Sequence, residues 1–300
     1  MDFKNRVKNE LYALYPEKEK DRRAEWAGIL RGGGILKKQG SKFSLVFSHR
    51  DPALIKKCLF FKKNLLPELT HSLFLQEREG LQQGFHYVME FPVSLDALFH
   101  LGLQDDDLPG FMQNDCWSYF LRGVFESRGY VGDPQRGYQL EFQLSSEYFA
   151  RHILQVLIEH HLTFHSRNLK GEVNVYTRQF QSIADFLQLI GATSSYMEIE
   201  KIMVEKSTMN ELTRWVNYET ANVEKTVVSS ARQRKKIGLL QMELIPFSLR
   251  EVMYLRLKYP CASLREIGEL CAPPLSKAEV HRRLKYIEKI ADQKGGLQGE

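Results

Sequence analysis

Between Ser276 and Lys289 the sequence sets Ser276, Lys277, Ala278, His281, Arg282, Arg283, Lys285 and Lys289 at intervals that recur along one helix. Ammonium and guanidinium groups spaced this way neutralise phosphates, and those near the start of a helix also reach base edges in a major groove. Ala278, His281 and Arg282 would then meet bases, with Arg283, Lys285 and Lys289 nearer the phosphates. Four to six such contacts would give a slope of log K against log salt of about −4 to −5. A second set, Asn217, Thr220, Asn222, Lys225 and Arg232, lies in a stretch without Gly or Pro that favours one long helix. Several of these are poor helix formers, and their concentration there suits phosphate contact.

Other chemistries find less support. His160, His161 and His165 straddle a helix end and a strand with no Cys, Asp or Glu at ligand spacing. Asp105, Asp106 and Asp107 precede Pro109-Gly110 and read as a solvated boundary. Cys58, Cys116, Cys261 and Cys271 are scattered, without Cys-x-x-Cys spacing, which points to reduced, mostly buried thiols. Neither a catalytic residue, a metal nor a cofactor is expected.

The basic cluster needs elements to hold it. Ser248, Ser263 and Ser276 are each followed three residues later by Glu251, Glu266 and Glu279, so each predicts a capping box that starts a helix. Leu264, Ile267 and Leu270 line one side of the middle helix, and Val280, Leu284, Ile287 and Ala291 one side of the last. The turn through Cys271-Ala-Pro273-Pro274-Leu275 joins them as a helix-turn-helix, with a recognition helix from Lys277 to about Ala291. Its two prolines make it similar to the promoter-reading region of bacterial sigma factors. From Arg232 to Ile290 thirteen Lys and Arg face six Asp and Glu, whereas residues 1 to 231 carry −1 of the total +5. The positive excess of a polyanion-binding module therefore sits at the C-terminal end.

The remainder carries one stretch twice. Glu25-Trp26-Ala-Gly28 through Gly34 and Trp117 through Leu121-Arg-Gly123 to Gly129 are short helical patterns with a glycine inside and another at the end. A glycine within a helix costs about 1 kcal/mol against Ala, so close packing of the two helices is the expected compensation. Gly34 and Gly129 are expected to be left-handed stops. The 95-residue offset from Gly28 to Gly123 recurs from Asp51 to Ser146, where two further helices begin. Ser94 and Ser182 begin a third pair at 88 residues. The module is thus helix, two strands, helix, two strands, helix, with an N-terminal helix over residues 2 to 16 before the first copy.

A duplicated module opened by a glycine-bearing helix resembles the LAGLIDADG homing endonucleases. That resemblance implies two helices packed at a pseudo-two-fold axis, sheets that straddle DNA, and a metal-binding acid at the penultimate motif position. Gly33 and Arg128 stand at those positions here, and neither holds a divalent cation. Glu126, two positions earlier, and Asp133 are the nearest acids that could have been relocated. With Asn217-Tyr-Glu-Thr-Ala-Asn222 and Lys225-Thr226, Arg232-Gln233, Ala272-Pro-Pro-Leu-Ser-Lys277 and Arg282-Arg283-Leu284, nearly the whole chain resembles the bacterial WhiA regulators. Tyr218, where that family usually has Cys, and Arg128-Gly129, where it has two glycines, are departures.

The expected fold is α+β: a tandem LAGLIDADG-like domain (first repeat 1–110, second repeat 111–205), a helical linker (206–240) and an all-α, sigma-like helix-turn-helix domain (241–300). The resemblance implies a regulator that binds double-stranded DNA, acts on transcription in sporulation, cell division and chromosome segregation, and is not an enzyme. The alternatives are an active homing endonuclease, and an adaptor whose N-terminal domain binds a division or transcription protein. At 43% hydrophobic and 26% charged, with no apolar run of the ~18 residues that span a membrane, the chain is expected in the cytoplasm, at the nucleoid.

Overall fold

In a computed structural model, residues 2–40, 42–78, 84–103, 116–169, 171–238 and 240–295 are described. The chain divides into two compact units, Met1–Glu205 and Lys206–Glu300.

The first unit holds the module twice. After α1 (Phe3–Tyr12), the first copy runs α2 (Glu19–Gly33), β1 (Gly34–Gln39), β2 (Lys42–His49), α3 (Pro52–Leu65), β3 (Ser72–Arg78), β4 (Gly84–Val93) and α4 (Leu95–His100). The second runs α5 (Trp117–Arg128), β5 (Gly129–Val131), β6 (Leu140–Leu144), α6 (Glu147–Glu159), β7 (His165–Leu169), β8 (Glu172–Thr177) and α7 (Phe180–Leu189). Each copy builds a four-stranded antiparallel sheet in the same order, β1-β2-β4-β3 and β5-β6-β8-β7. Alternation sends Leu45, Phe47, Met89 and Phe91 to the helix side of the first sheet, and Leu140, Phe142, Leu144 and Val175 to that of the second. The expected linker at Asp105–Gly110 lies outside the described residues.

The two glycine-bearing helices touch. A Cβ on Gly28 would stand 2.2 Å from the Phe120 carbonyl oxygen, and one on Gly123 would stand 2.1 Å from that of Glu25. Only a missing side chain permits that approach, which offsets the helix cost of both glycines. Gly34 and Gly129 are glycine for the same reason and not for handedness. Both are extended, with φ of −79° and −81°, and a Cβ would strike the Leu30 carbonyl or the Phe125 ring. Left-handed glycines stand elsewhere, among them Gly191, at φ +86°, just after α7.

Other local expectations shift. The N-terminal helix ends at Tyr12 instead of Pro16. Ser94 caps α4 by accepting from the Ala97 amide, whereas Ser182 lies inside α7 and accepts from the Thr163 amide. The resemblance between those serines therefore does not extend to their roles. The stretch that carries Asn217, Thr220, Asn222, Lys225 and Arg232 lies in one long helix, α8 (Thr193–Ile237). That helix begins in the first unit and ends in the second.

In the second unit α8 is followed by a short 3₁₀ turn (Met242–Leu244), α9 (Phe247–Lys258), α10 (Leu264–Leu270) and α11 (Lys277–Gly295). Their core gathers Ile237, Ile245, Val252, Met253, Ile267, Val280, Leu284 and Ile287. Of the three capping boxes, Ser263–Glu266 is complete. At Ser276 the hydroxyl accepts from the Glu279 amide at 3.2 Å, but the Glu279 carboxylate turns to two arginines. No box forms at Ser248, because α9 starts two residues earlier than that cap requires, with Pro246 at its N-cap.

Candidate nucleic-acid interface

At the foot of α2 and α5 the two positions that hold metal-binding acids in LAGLIDADG enzymes are taken up by packing. A Cβ on Gly33 would lie 2.8 Å from the Phe47 ring and 3.3 Å from Ser127 Cβ, so a carboxylate has no room. Arg128 Nε donates to the Gly32 carbonyl at 2.9 Å, closing the end of the opposite helix. An arginine and a glycine supply no anionic oxygen, and the pair does not fit a divalent cation.

Two carboxylates nevertheless converge deeper in the junction, and the cation between them belongs to the chain. Lys57, from α3, ion-pairs with Glu25 of α2 and, at 2.6 Å, with Glu126 of α5, and donates to the Leu11 carbonyl at 2.9 Å. All three side chains are fully buried. Arg122 Nη1 adds a contact of 3.5 Å to Glu25, and its Nε donates to the Ile190 carbonyl. Burial pushes Glu126 up to about 8 and raises Glu25 as well. Glu126, the acid that sequence reasoning offers as a relocated ligand, is thus shut from water and bound to an ammonium. Asp133, the other, caps a surface turn by accepting from the Gln135 amide.

The chemistry of the second unit is at its surface. Val280, Leu284 and Ile287 fix α11 to the core, which turns Lys277, Ala278, His281, Arg282, Lys285 and Lys289 to solvent. Gly268 lets α10 pass the turn, since a Cβ there would lie 2.2 Å from the Leu275 carbonyl oxygen. Arg282 keeps 78% of its side chain exposed while bonding Glu279 at 2.7 Å. Arg283 is different: its Nε donates to Glu279 and its Nη1 to the Ser248 carbonyl, both at 2.8 Å, tying α11 to the start of α9. The two guanidinium groups hold the Glu279 carboxyl below the usual carboxylate range. Tyr286, one turn beyond Arg282 and 57% exposed, joins the outer face. Its i+4 spacing from Arg282 was the available signal.

On α8, Asn217, Thr220, Lys225 and Arg232 are exposed and Asn222 is half-buried. At 100° per residue Asn217, Thr220, Lys225 and Arg232 fall outside the sector of Ser230, Gln233 and Ile237, which are buried within the second unit, whereas Asn222 lies at its edge. Arg256, counted among the basic residues by sequence, is 1% exposed and donates to the Ala262 carbonyl at 2.7 Å. It braces the turn between α9 and α10.

Two family models match the chain: the WhiA LAGLIDADG-like domain over residues 117–209 and the WhiA C-terminal HTH domain over residues 212–291. Among curated proteins it is 34% identical to a probable cell division protein WhiA of Carboxydothermus hydrogenoformans, over 98% of each chain. It is 32% identical to that of Heliobacterium modesticaldum over the full length of both. Among solved structures, full-length WhiA from Thermatoga maritima aligns with a TM-score of 0.64 at 25% identity, covering 98% of this chain and 99% of that one.

Proposed function

Because this chain belongs to the WhiA family, we propose that it is a sequence-specific regulator that binds double-stranded DNA through α11, acts on genes of cell division, chromosome segregation and sporulation at the nucleoid, and has lost nuclease activity. The observation that carries this reading is the division of α11 into a face built into the core and a face of Lys277, His281, Arg282, Lys285 and Lys289 held out to solvent. Ala278 and His281, in the first turns, are close enough to base edges for readout once the helix lies in a groove. The exposed residues of α8, Asn217, Thr220, Lys225 and Arg232, extend the same chemistry toward phosphates, with Asn222 beside them. Arg283 contributes by fixing the helix more than by touching phosphate. Loss of cutting is supported by the junction, where Gly33 and Arg128 stand at the ligand positions and Glu25 and Glu126 are engaged by Lys57, with Arg122 also at Glu25.

Selection of duplexes from a random pool by the full chain, followed by titration of the selected site against a scrambled one, tests the proposal. A preference of at least about 10³-fold is expected. Equal affinity for both duplexes would refute sequence-specific recognition, and site-specific cutting of plasmid in Mg²⁺ would refute the loss of nuclease activity.

A second reading, that the first unit also binds a division or transcription protein, is favoured by the outer face of its first sheet. There Ile35 and Phe74 are 54% and 45% exposed. Phe74→Glu should then abolish capture of that partner and leave the DNA titration unchanged.

A further inference from the structure

A hollow opens at the foot of the α2–α5 junction. Two adjoining cavities open there, of about 480 and 520 Å³, and share His49, Arg50 and Ser127. The first is walled by Gly33, Ile35, Val46, Phe47, His86 and Arg128, the second by Lys4, Lys8, Tyr12, Asp51 and Tyr130. Each volume is in the range of small-ligand sites.

Their charge is reversed from that of a metal site. Lys4, Lys8, Arg50 and Arg128 line them against two acids, Asp51 and Glu172. Asp51 is already committed, accepting from the Ala53 amide at 2.9 Å to cap α3. The cations are positioned by the fold. Lys8 Nζ lies against the last carbonyls of α5, 3.0 Å from that of Glu126. Arg128 is anchored through Nε to Gly32, and Arg50 Nε donates at 3.2 Å to Nε2 of His86, a ring that is 6% exposed. A buried imidazole that accepts from Arg50 at Nε2 carries its proton on Nδ1, 3.4 Å from the Ser48 hydroxyl. That chain holds Arg50 at the rim the two cavities share. Aromatic surface is also present: His49 lies parallel to Phe47 at 6.3 Å, and Tyr130, 40% exposed, stands under the Lys4 ammonium.

We infer that this hollow is a metal-independent binding site for a compact phosphorylated anion of nucleotide size, with Arg50, Arg128 and Lys4 supplying the positive charge that metal ions supply in the nucleases. Guanidinium groups match phosphate oxygens two at a time, and a ring beside them gives a base a surface to stack on. A compact ligand fits better than a duplex. Beside the hollow a duplex would also meet acids: Val46 pairs with Glu90 along the first sheet, and Tyr130 with Glu141 along the second. A duplex laid there would bring a phosphate every ~1.7 Å along its axis against carboxylates. This inference is independent of DNA recognition by α11.

Calorimetric titration of the full chain with ADP and with inorganic pyrophosphate, in the presence of a chelator, tests it. Saturable binding of both is expected, with Arg50→Gln and Arg128→Gln each weakening it about ten-fold or more. Arg50 is exposed, so Arg50→Gln remains informative if loss of the Arg128 bond to Gly32 unsettles the junction. Arg282→Ala should leave ADP binding unchanged. Absence of binding up to about 5 mM, or wild-type affinity in Arg50→Gln, would overturn the site. Displacement of ADP by a short random duplex, with the duplex affinity also lost in Arg50→Gln and kept in Arg282→Ala, would assign the hollow to the DNA backbone instead.

Discussion

The two units use the same residue types in opposite ways. Lys57 and Arg122 sit inside the first unit, their charges spent on Glu25 and Glu126 across a helix junction. Arg282, Lys285 and Lys289 sit outside the second, with Arg282 exposed even though it is paired with Glu279. A buried cation cannot leave its partner without exposing a carboxylate to an apolar interior, so it fixes structure. An exposed one can exchange water and a weak neighbour for a phosphate at little cost, so it recognises ligand. Burial decides which role a lysine or arginine takes.

Substitutions should separate the two behaviours. The largest effect is expected from Lys57→Met, which removes the buried ammonium that Glu25 and Glu126 share and should cost about 3–5 kcal/mol in chemical denaturation. A loss below about 1 kcal/mol would mean that the junction is wetter than its burial indicates. Next comes Gly123→Ala, whose methyl would meet the Glu25 carbonyl at 2.1 Å. Because the obstacle is backbone, the helices must separate, and a loss of about 3 kcal/mol is expected. Neither change should alter base preference in the protein that remains folded.

The reverse is expected on α11. Arg282→Ala should cost about 1–3 kcal/mol on a selected site and much less on random duplex, with the melting temperature unchanged. Equal losses on both duplexes would make Arg282 a phosphate contact. The pH dependence of stability should single out the buried side again. Glu126 has its protonated form favoured by folding, so the stability it contributes is complete below about 4.5, its ordinary value, and is lost as pH rises through about 8. Relative to Glu126→Gln, the wild type should therefore weaken across that window, by at most about 1.4 kcal/mol per pH unit. A flat difference would show that Lys57 keeps Glu126 ionised throughout. The smallest effect is expected from Lys289→Ala, which should weaken all duplexes alike and reduce the salt slope by about 1.

Much of this architecture was legible because it depends on near neighbours in sequence. The duplicated module, its 95-residue offset and the close approach at Gly28 and Gly123 follow from helical period and from a glycine where a helix would otherwise avoid one. The amphipathic division of α11 follows from the same period, and its charged side stayed outside. Gly34 and Gly129 show where such reasoning stops. Glycine serves both a left-handed turn and a tight approach, and only the extended backbone found at both positions brings a Cβ against the Leu30 carbonyl and the Phe125 ring of the preceding turn. Ser248–Glu251 matches the capping pattern as well as Ser263–Glu266 does, yet Pro246 starts its helix first.

By itself the sequence determined the elements, their repetition, the absence of acids from the two motif positions and the concentration of positive charge near the C-terminus. Tertiary structure alone decided which charges are available. Glu126 and Lys57 are 69 residues apart and Arg283 is 35 from the carbonyl of Ser248. Arg50 meets Arg128 around one hollow only after two repeats have folded. Local pattern sets which way a side chain leaves its helix or strand, but desolvation and pairing depend on what the rest of the chain brings to meet it.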